Sequence, residues 1–368
     1  MNSTRTSRAA VLVERGKPLD IRAVPIPSEL ERGAILVRNT VATVCGSDVH
    51  VWEGAAGADR ALPLVLGHEM VGEIAELGPD ATTDSIGQEL TVGDRITWSH
   101  GQCGQCYFCV VEREPTLCTN WRGYMVGDPA IYPNLVGGFS EYTYVYPTSG
   151  RIRLPDDVPD ALAAASSCSL RTVIAAFERL GTIREHHTVV IQGAGPVGLF
   201  AAAKAVSAGA ARVFVIGGPQ ARLDLATAWG AVPVPLTTSP ADRLAAVHEA
   251  TGGRGADIVV EASGAPQAWN EGINLLRRGG RYLIIGQAHD ESVSFNPSVL
   301  LAKHLTVIGS LSAHIRHYHR ALEFIRHNAE RFDWNLMLSN TYPLTDIMTA
   351  MERMQTWDEI KPVIDLRS

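Results

Sequence analysis

The sequence lacks any dense run of lysine or arginine, and its 32 basic residues are outnumbered by 39 acidic ones, for a net charge of −7. Such a chain offers no electrostatic track for a phosphate backbone, so nucleic acid is not expected as a partner. Long apolar runs are missing too. Nothing approaches the roughly 20 apolar residues that span a bilayer, and no membrane partner is expected. Near the N-terminus Arg5 and Arg8 precede only a short apolar stretch, 9–13, too short for the core of a signal peptide. There is no repeat at solenoid period and no low-complexity segment. Cysteine is scarce, six in 368 residues, and nothing else points to an oxidising compartment. A cytoplasmic protein with reduced thiols is therefore expected. The length suits two domains, and 46% apolar with 19% charged residues is ordinary for a globular chain.

The few cysteines are placed in a pattern. Cys103, Cys106 and Cys109 stand two residues apart, and Cys118 follows after eight. Two-residue gaps let neighbouring thiolates converge on one ion, and the longer gap lets a fourth arrive from the far side of a loop. Four sulfurs fill a tetrahedral Zn²⁺ site, which then holds a loop together and does no chemistry. The alternative, a pair of disulfides, requires oxidising surroundings. A structural zinc is the expectation.

Two textures divide the chain. From residue 8 to about 154, short β-like runs (10–14, 34–44, 71–77, 95–98, 140–145) are broken by Gly, Pro and Asp, as in a β-rich, partly barrel-like domain. From about 160, alanine-rich helical stretches (161–167, 199–207, 221–229) alternate with apolar strand runs (188–192, 212–216, 258–261, 281–285, 305–308). Alternation of that kind indicates a parallel sheet covered on both faces. After residue 310 come helical segments and a short strand, 362–366, which is expected to return to the first domain.

Gly193-Ala194-Gly195-Pro196-Val197-Gly198 follows the strand 188–192 and opens the helix 199–207. Glycine-rich turns are common, but between a strand and a helix these glycines permit a tight turn and close approach of backbone amides to a pyrophosphate. An acidic residue to hold the adenine ribose of NAD is expected about 20 positions later. Gly217 stands there instead, followed by Gly218 and Pro219, with Arg222 the nearest cation. With no carboxylate to repel a 2′-phosphate, the reading leans to NADP and leaves NAD open.

Cys45, His68 and Cys168 are dispersed along the chain, and each alone has an ordinary reading as a core cysteine or a satisfied histidine. With the cysteine lobe, the Gly67-His68-Glu69 stretch and the glycine-rich turn in this order, the chain resembles the zinc-dependent medium-chain dehydrogenase/reductase family, the alcohol dehydrogenases among them. The resemblance runs over nearly the whole chain. It implies an α/β fold: an N-terminal GroES-like, β-rich catalytic domain (1–157 with 312–368) carrying both zinc sites, and a Rossmann doubly wound parallel sheet (158–311). It further implies two zinc ions per chain, NAD(P) as coenzyme, and a homo-oligomer, dimer or tetramer. Cys45, His68 and Cys168 would hold the catalytic zinc, Glu69 would be a carboxylate able to approach it, and Asp48 would fix the His68 ring. One departure is the lobe spacing, since relatives usually leave seven residues where this chain has 110–117. Another is the stretch 120–138, rich in Tyr, Trp and Pro, which either shapes the substrate mouth or pads a domain interface.

The activity so implied is hydride transfer between NAD(P) and an alcohol or ketone at zinc, with a secondary alcohol favoured. The alternative is NAD(P)H-dependent reduction of a conjugated double bond. Ser47 would contact the reacting oxygen and His50 would pass its proton to water, though Ser47 also suits a turn cap and His50 an exposed loop. Thr172 and Ile285 match cofactor-facing positions, and Lys361 would join the backbone amides on the pyrophosphate. Trp98, Ser99, His100, Trp121 and Tyr124 would line the substrate cleft or pack an interface. Threonine, polyols, cyclitols, terpenoid and simple secondary alcohols are all compatible.

Overall fold

A computed structural model describes residues 5–57, 59–287 and 291–367. The chain divides into two compact units. The first holds the chain up to Cys168 with Ala313–His327 and everything from Met337 on; the second holds Ser169–Ser312 and Asn328–Leu336. The division falls later than composition alone places it, and packing supplies the reason. Thr40 Oγ1 donates to Asp160 at 2.6 Å, Arg95 pairs with the same carboxylate at 2.7 Å, and Ala163 and Ala164 share a core with Val41 and Val71.

The first unit is organised on the strand Ile35–Thr43, whose β-branched sequence ILVRNTVAT is buried at every position but Arg38. It pairs antiparallel with Met70–Leu77, Tyr142–Val145 and Val363–Asp365, and the sheet continues outward to Arg95–Gly101, Ser149–Arg153 and Thr341–Pro343. Only Thr341–Pro343 and Val363–Asp365 run parallel to each other, so the sheet is mixed. A smaller antiparallel sheet joins Asp20–Pro25, Thr6–Leu12 and Leu64–Val65. Register decides what gathers at one end. Ala42 lies opposite Met70 and Thr43 opposite Val363. Residues just beyond those partners, Cys45, His68-Glu69 and Lys361, are thereby delivered to the same edge.

The second unit is a six-stranded sheet in the order Val232–Pro235, Arg212–Gly217, Thr188–Gln192, Ala256–Glu261, Leu276–Ile284, Thr306–Gly309. Every neighbouring pair is parallel. Thr188–Gln192 is buried throughout, as an inner strand covered on both faces must be. The strands that follow it in sequence go first to one side and then to the other, which makes its carboxyl end the switch point of a Rossmann sheet. Helix Pro196–Ser207 lays Leu199, Phe200, Gly198 and four alanines (Ala201, Ala202, Ala203, Ala205) into the core. Among the described residues no helix is long and apolar enough to cross a membrane.

Candidate active site

The four-cysteine lobe is assembled from local turns. Cys106 opens the one-turn helix Tyr107–Val110, and the short turn Pro115–Leu117 takes up the rest of the eight-residue gap before Cys118. All four thiols are free. Sγ–Sγ distances are 3.5 Å for Cys106–Cys109, 3.5 Å for Cys103–Cys118 and 4.0 Å for Cys106–Cys118. Tetrahedral zinc with Zn–S of about 2.3 Å requires sulfurs about 3.8 Å apart, whereas a disulfide closes to about 2.05 Å. The donor set fits an ion and not two disulfides. Backbone amides favour thiolate here: bonds from Thr119 and Cys109, working against burial, pull Cys106 down to about 6, and the Cys103 N–H points at Cys118 Sγ at 3.3 Å.

A second cluster lies at the edge prepared by the central strand. Donor atoms of Cys45, His68, Glu69 and Cys168 all fall within 4.8 Å of one another. Cys45 caps helix Gly46–Glu53, and Cys168 sits on the widened π turn Ser166–Leu170 between two α-helices, a local distortion common at functional positions. Asp48 ties the pieces together. Its buried carboxylate accepts the N–H of Cys45 at 2.9 Å and of Gly67 at 3.1 Å, and it faces His68 Nδ1 at 3.3 Å. A carboxylate at Nδ1 keeps the proton there and leaves the Nε2 lone pair for a cation. Burial opposes charge on His68, but Asp48 and Cys45 overcome it and push the ring up to about 10. Cys45 rises to about 11 through its hydrogen bond with Cys168 and through burial. Gly67 has φ +90°, and a Cβ there would meet the backbone N of Phe139 at 2.6 Å, so the residue before His68 must be glycine.

Glu69 is fully buried, and burial raises its pKa against the pull of Lys361, to about 7. Thr43 Oγ1 donates to its Oε2 at 2.5 Å, and Lys361 Nζ lies 2.7 Å from Oε1 and 2.5 Å from Oε2. The remaining Lys361 donor reaches the Val44 carbonyl at 3.3 Å. This corrects the expectation that Lys361 reaches a pyrophosphate: its side chain is wholly buried and its three donors are in use inside the first unit. Thr43 and Met125 belong to this site and were not anticipated. Met125, buried in a left-handed conformation (φ +60°), sets its sulfur 2.9 Å from His68 Nδ1. A threonine two residues before Cys45 at a strand end was a signal for the first; nothing local marks the second.

Ser47 is half-buried at the second position of its helix, and the His50 side chain is 45% exposed, 3.9 Å from Glu53. Trp98, His100, Trp121 and Tyr124 form one aromatic group. Ring centroids are 5.5 Å apart for His100–Trp121, 5.7 Å for His100–Tyr124 and 6.4 Å for Trp98–Tyr124. Tyr124 precedes Met125, so the group adjoins the donor cluster along the chain. Of the expected cleft residues only His100 and Trp121 reach the surface: Trp98 and Tyr124 are buried in the core of the first unit, and Ser99 is enclosed as well. It is fully buried, and its hydroxyl donates to the His100 carbonyl at 3.0 Å, so it does not face a cleft.

In the second unit, the glycine-rich turn leaves room for a ligand. Gly193 has φ +114°, and a Cβ on Gly198 would strike the Gly193 carbonyl at 1.9 Å. Nothing lies within 4 Å of a Cβ built on Gly195, which caps helix Pro196–Ser207 with no side-chain cap and no acid in its first turn. Open space at Gly195, at the N-terminus of a helix whose first position is Pro196, fits a pyrophosphate held by the first-turn amides. Gly217 ends its strand against that turn: a Cβ there would meet Ala194 Cβ at 2.6 Å, which explains the missing acid. Arg222 is buried on helix Gln220–Ala228, and burial lowers its pKa. Thr172 is half-buried at the start of helix Arg171–Leu180, and the Ile285 N–H is bonded to the Glu261 carbonyl at 2.9 Å.

Comparison with known proteins yields two family matches: the alcohol dehydrogenase GroES-like domain over residues 31–156, and the zinc-binding dehydrogenase over residues 196–327. The chain is 35% identical to a 5-exo-hydroxycamphor dehydrogenase of Pseudomonas putida, with 98% of each chain aligned. It is 31% identical to a sorbitol dehydrogenase of Halalkalibacterium halodurans over 87% of this chain and 88% of that one. Among solved structures, an alcohol dehydrogenase from Thermotoga maritima superposes with a TM-score of 0.92 at 34% identity, covering 98% of this chain and 99% of its own.

Proposed function

Since the chain belongs to the zinc-binding medium-chain dehydrogenase/reductase family, whose zinc- and NAD(P)-binding oxidoreductases it resembles throughout, we propose that it transfers hydride between NAD(P) and a secondary alcohol or its ketone. The observation that carries this reading is the buried cluster of Cys45, His68 and Cys168, whose fourth neighbour, Glu69, is held by Lys361. Three protein donors with a tethered fourth describe an open metal site. Zinc in that site supplies Lewis acidity to a substrate oxygen, and the nicotinamide supplies or accepts the hydride.

The protein's own groups do the remainder. Asp48 fixes the tautomer and aim of His68. Thr43 and Lys361 engage both oxygens of the Glu69 carboxylate, which competes with its use as a fourth ligand and favours substrate in that position. Ser47 accepts the proton of the substrate hydroxyl, and the exposed His50 delivers it to water. Backbone amides of Val197 and Gly198 hold the pyrophosphate, and the absence of a carboxylate at Gly217 favours NADP. His100 and Trp121, backed by the buried rings of Trp98 and Tyr124, present an aromatic surface, which suits an apolar alcohol better than a polyol. A 5-exo-hydroxycamphor, the compound that names one relative, is a secondary alcohol on an apolar frame.

A panel of apolar secondary alcohols, polyols, ketones and enones, run with NADP and with NAD and followed by nicotinamide absorbance, tests the reading. The highest kcat/KM is expected on an apolar secondary alcohol or ketone with NADP. Turnover confined to the carbon–carbon double bond of enones overturns it.

A further inference from the structure

The second unit carries a cavity of about 380 Å³ lined by Thr182, Arg184, His187, Arg277 and Arg281. It lies at the amino ends of strands Thr188–Gln192, Ala256–Glu261 and Leu276–Ile284. The glycine-rich turn follows the carboxyl end of the first of these, about 16 Å away at some 3.3 Å per residue. The cavity is therefore separate from the dinucleotide turn.

Three guanidinium groups meet there against one carboxylate. Arg277 Nε engages Asp257 at 2.6 Å, and the other oxygen of Asp257 is taken by the Thr188 N–H at 2.8 Å. Arg281 donates to the Leu180 carbonyl at 2.6 Å and the Thr182 carbonyl at 2.7 Å, contacts that fix its position without cancelling its charge. The Arg184 side chain has no hydrogen bond or ion pair among the described residues. Glu185, next along the chain, does not line the cavity. His187 is 6% exposed, and its Nδ1 accepts the Arg184 N–H at 3.2 Å, which leaves Nε2–H as a donor. Burial and the charges of Arg277 and Arg184 hold Arg281 below its usual pKa, as expected where like charges gather without enough counter-charge. All this stands on a chain of net charge −7.

We infer that this cavity binds an anion of the phosphate class, either the free ion or the phosphoryl group of a small phosphomonoester. Guanidinium forks match tetrahedral oxyanions with paired N–H donors, and the His187 Nε2–H and Thr182 hydroxyl add neutral ones. No apolar side chain lines the cavity, which disfavours a fatty or aromatic acid.

Isothermal titration of the full chain with inorganic phosphate and, separately, with glycerol phosphate tests the site, each with and without saturating NADP. Phosphate bound at the glycine-rich turn disappears when coenzyme is present; phosphate in the arginine cavity stays. Arg184→Gln is expected to weaken the coenzyme-insensitive binding by about tenfold or more, and Arg184→Glu to abolish it, while Arg113→Gln, an equal charge change in the cysteine lobe, leaves it unchanged. Tighter binding of glycerol phosphate assigns the cavity to a phosphomonoester; tighter binding of inorganic phosphate assigns it to the free ion. Absence of coenzyme-insensitive binding, or equal affinity in wild type and Arg184→Gln, overturns the inference. Should NADP fail to bind, the comparison between Arg184→Gln and Arg113→Gln still decides it.

Discussion

The two donor clusters hold four candidate ligands each, yet they are built in opposite ways. The lobe takes its cysteines from residues 103–118, keeps three of them partly exposed, and surrounds them with backbone amides. The other cluster draws Cys45, His68, Glu69 and Cys168 from distant segments, and buried side chains (Asp48, Thr43, Lys361) hold its members. In the lobe all four donors are thiols free to converge. In the second cluster one donor is an acid with a cation of its own. A ligand count alone does not separate a filled site from an open one; what each donor is bonded to does.

Three substitutions sharpen that contrast. Cys168→Ser is expected to produce the largest change. Turnover falls on the order of 10³-fold or more, the rate equivalent of several kcal/mol of Lewis-acid assistance, while elemental analysis shows one zinc lost and the lobe zinc kept. Full activity in that variant breaks the assignment. Lys361→Met comes next, because it leaves Glu69 buried without its cation. Denaturant unfolding is expected to show a loss of about 3–5 kcal/mol, with part of it recovered in Glu69→Gln/Lys361→Met. A neutral Lys361→Met variant means the pair does not hold the site. Asp48→Asn is the mildest: the ring loses its charged partner, and zinc affinity or kcat/KM drops about 10–100-fold. An effect on the lobe zinc as large as on the other erases the distinction between the clusters.

Much of this was legible in the sequence wherever the cause is local. Cysteine spacing, Gly67-His68-Glu69 and the glycine-rich turn each encode their geometry within a few residues, and the strand–helix alternation announced the parallel sheet. Contacts set by long-range register were not legible. Lys361 pairs with a residue 292 positions away because Thr43 lies opposite Val363, a pairing that no local pattern reveals. Its position between Ile360 and Pro362-Val363, at the head of an apolar strand, was the one hint that the side chain goes inward. Met125 reaches His68 through a left-handed turn inside the aromatic stretch 120–138. Ser99 closes on its neighbour's carbonyl because the strand Arg95–Gly101 is buried over much of its length. The chain division was blurred because the helical texture begins before the packing changes. Residues 160–165 look like the start of the parallel unit and are anchored to the mixed sheet by Asp160.

The most direct test of the contrast replaces zinc by Co²⁺ in both clusters and follows the visible d–d bands as imidazole, a small neutral ligand, is added. The bands from Cys45, His68 and Cys168 are predicted to shift, those from the cysteine lobe to stay, and Cys168→Ser to remove only the responsive set. Bands that ignore the ligand altogether, or a response that survives in Cys168→Ser, contradict an open site at that cluster.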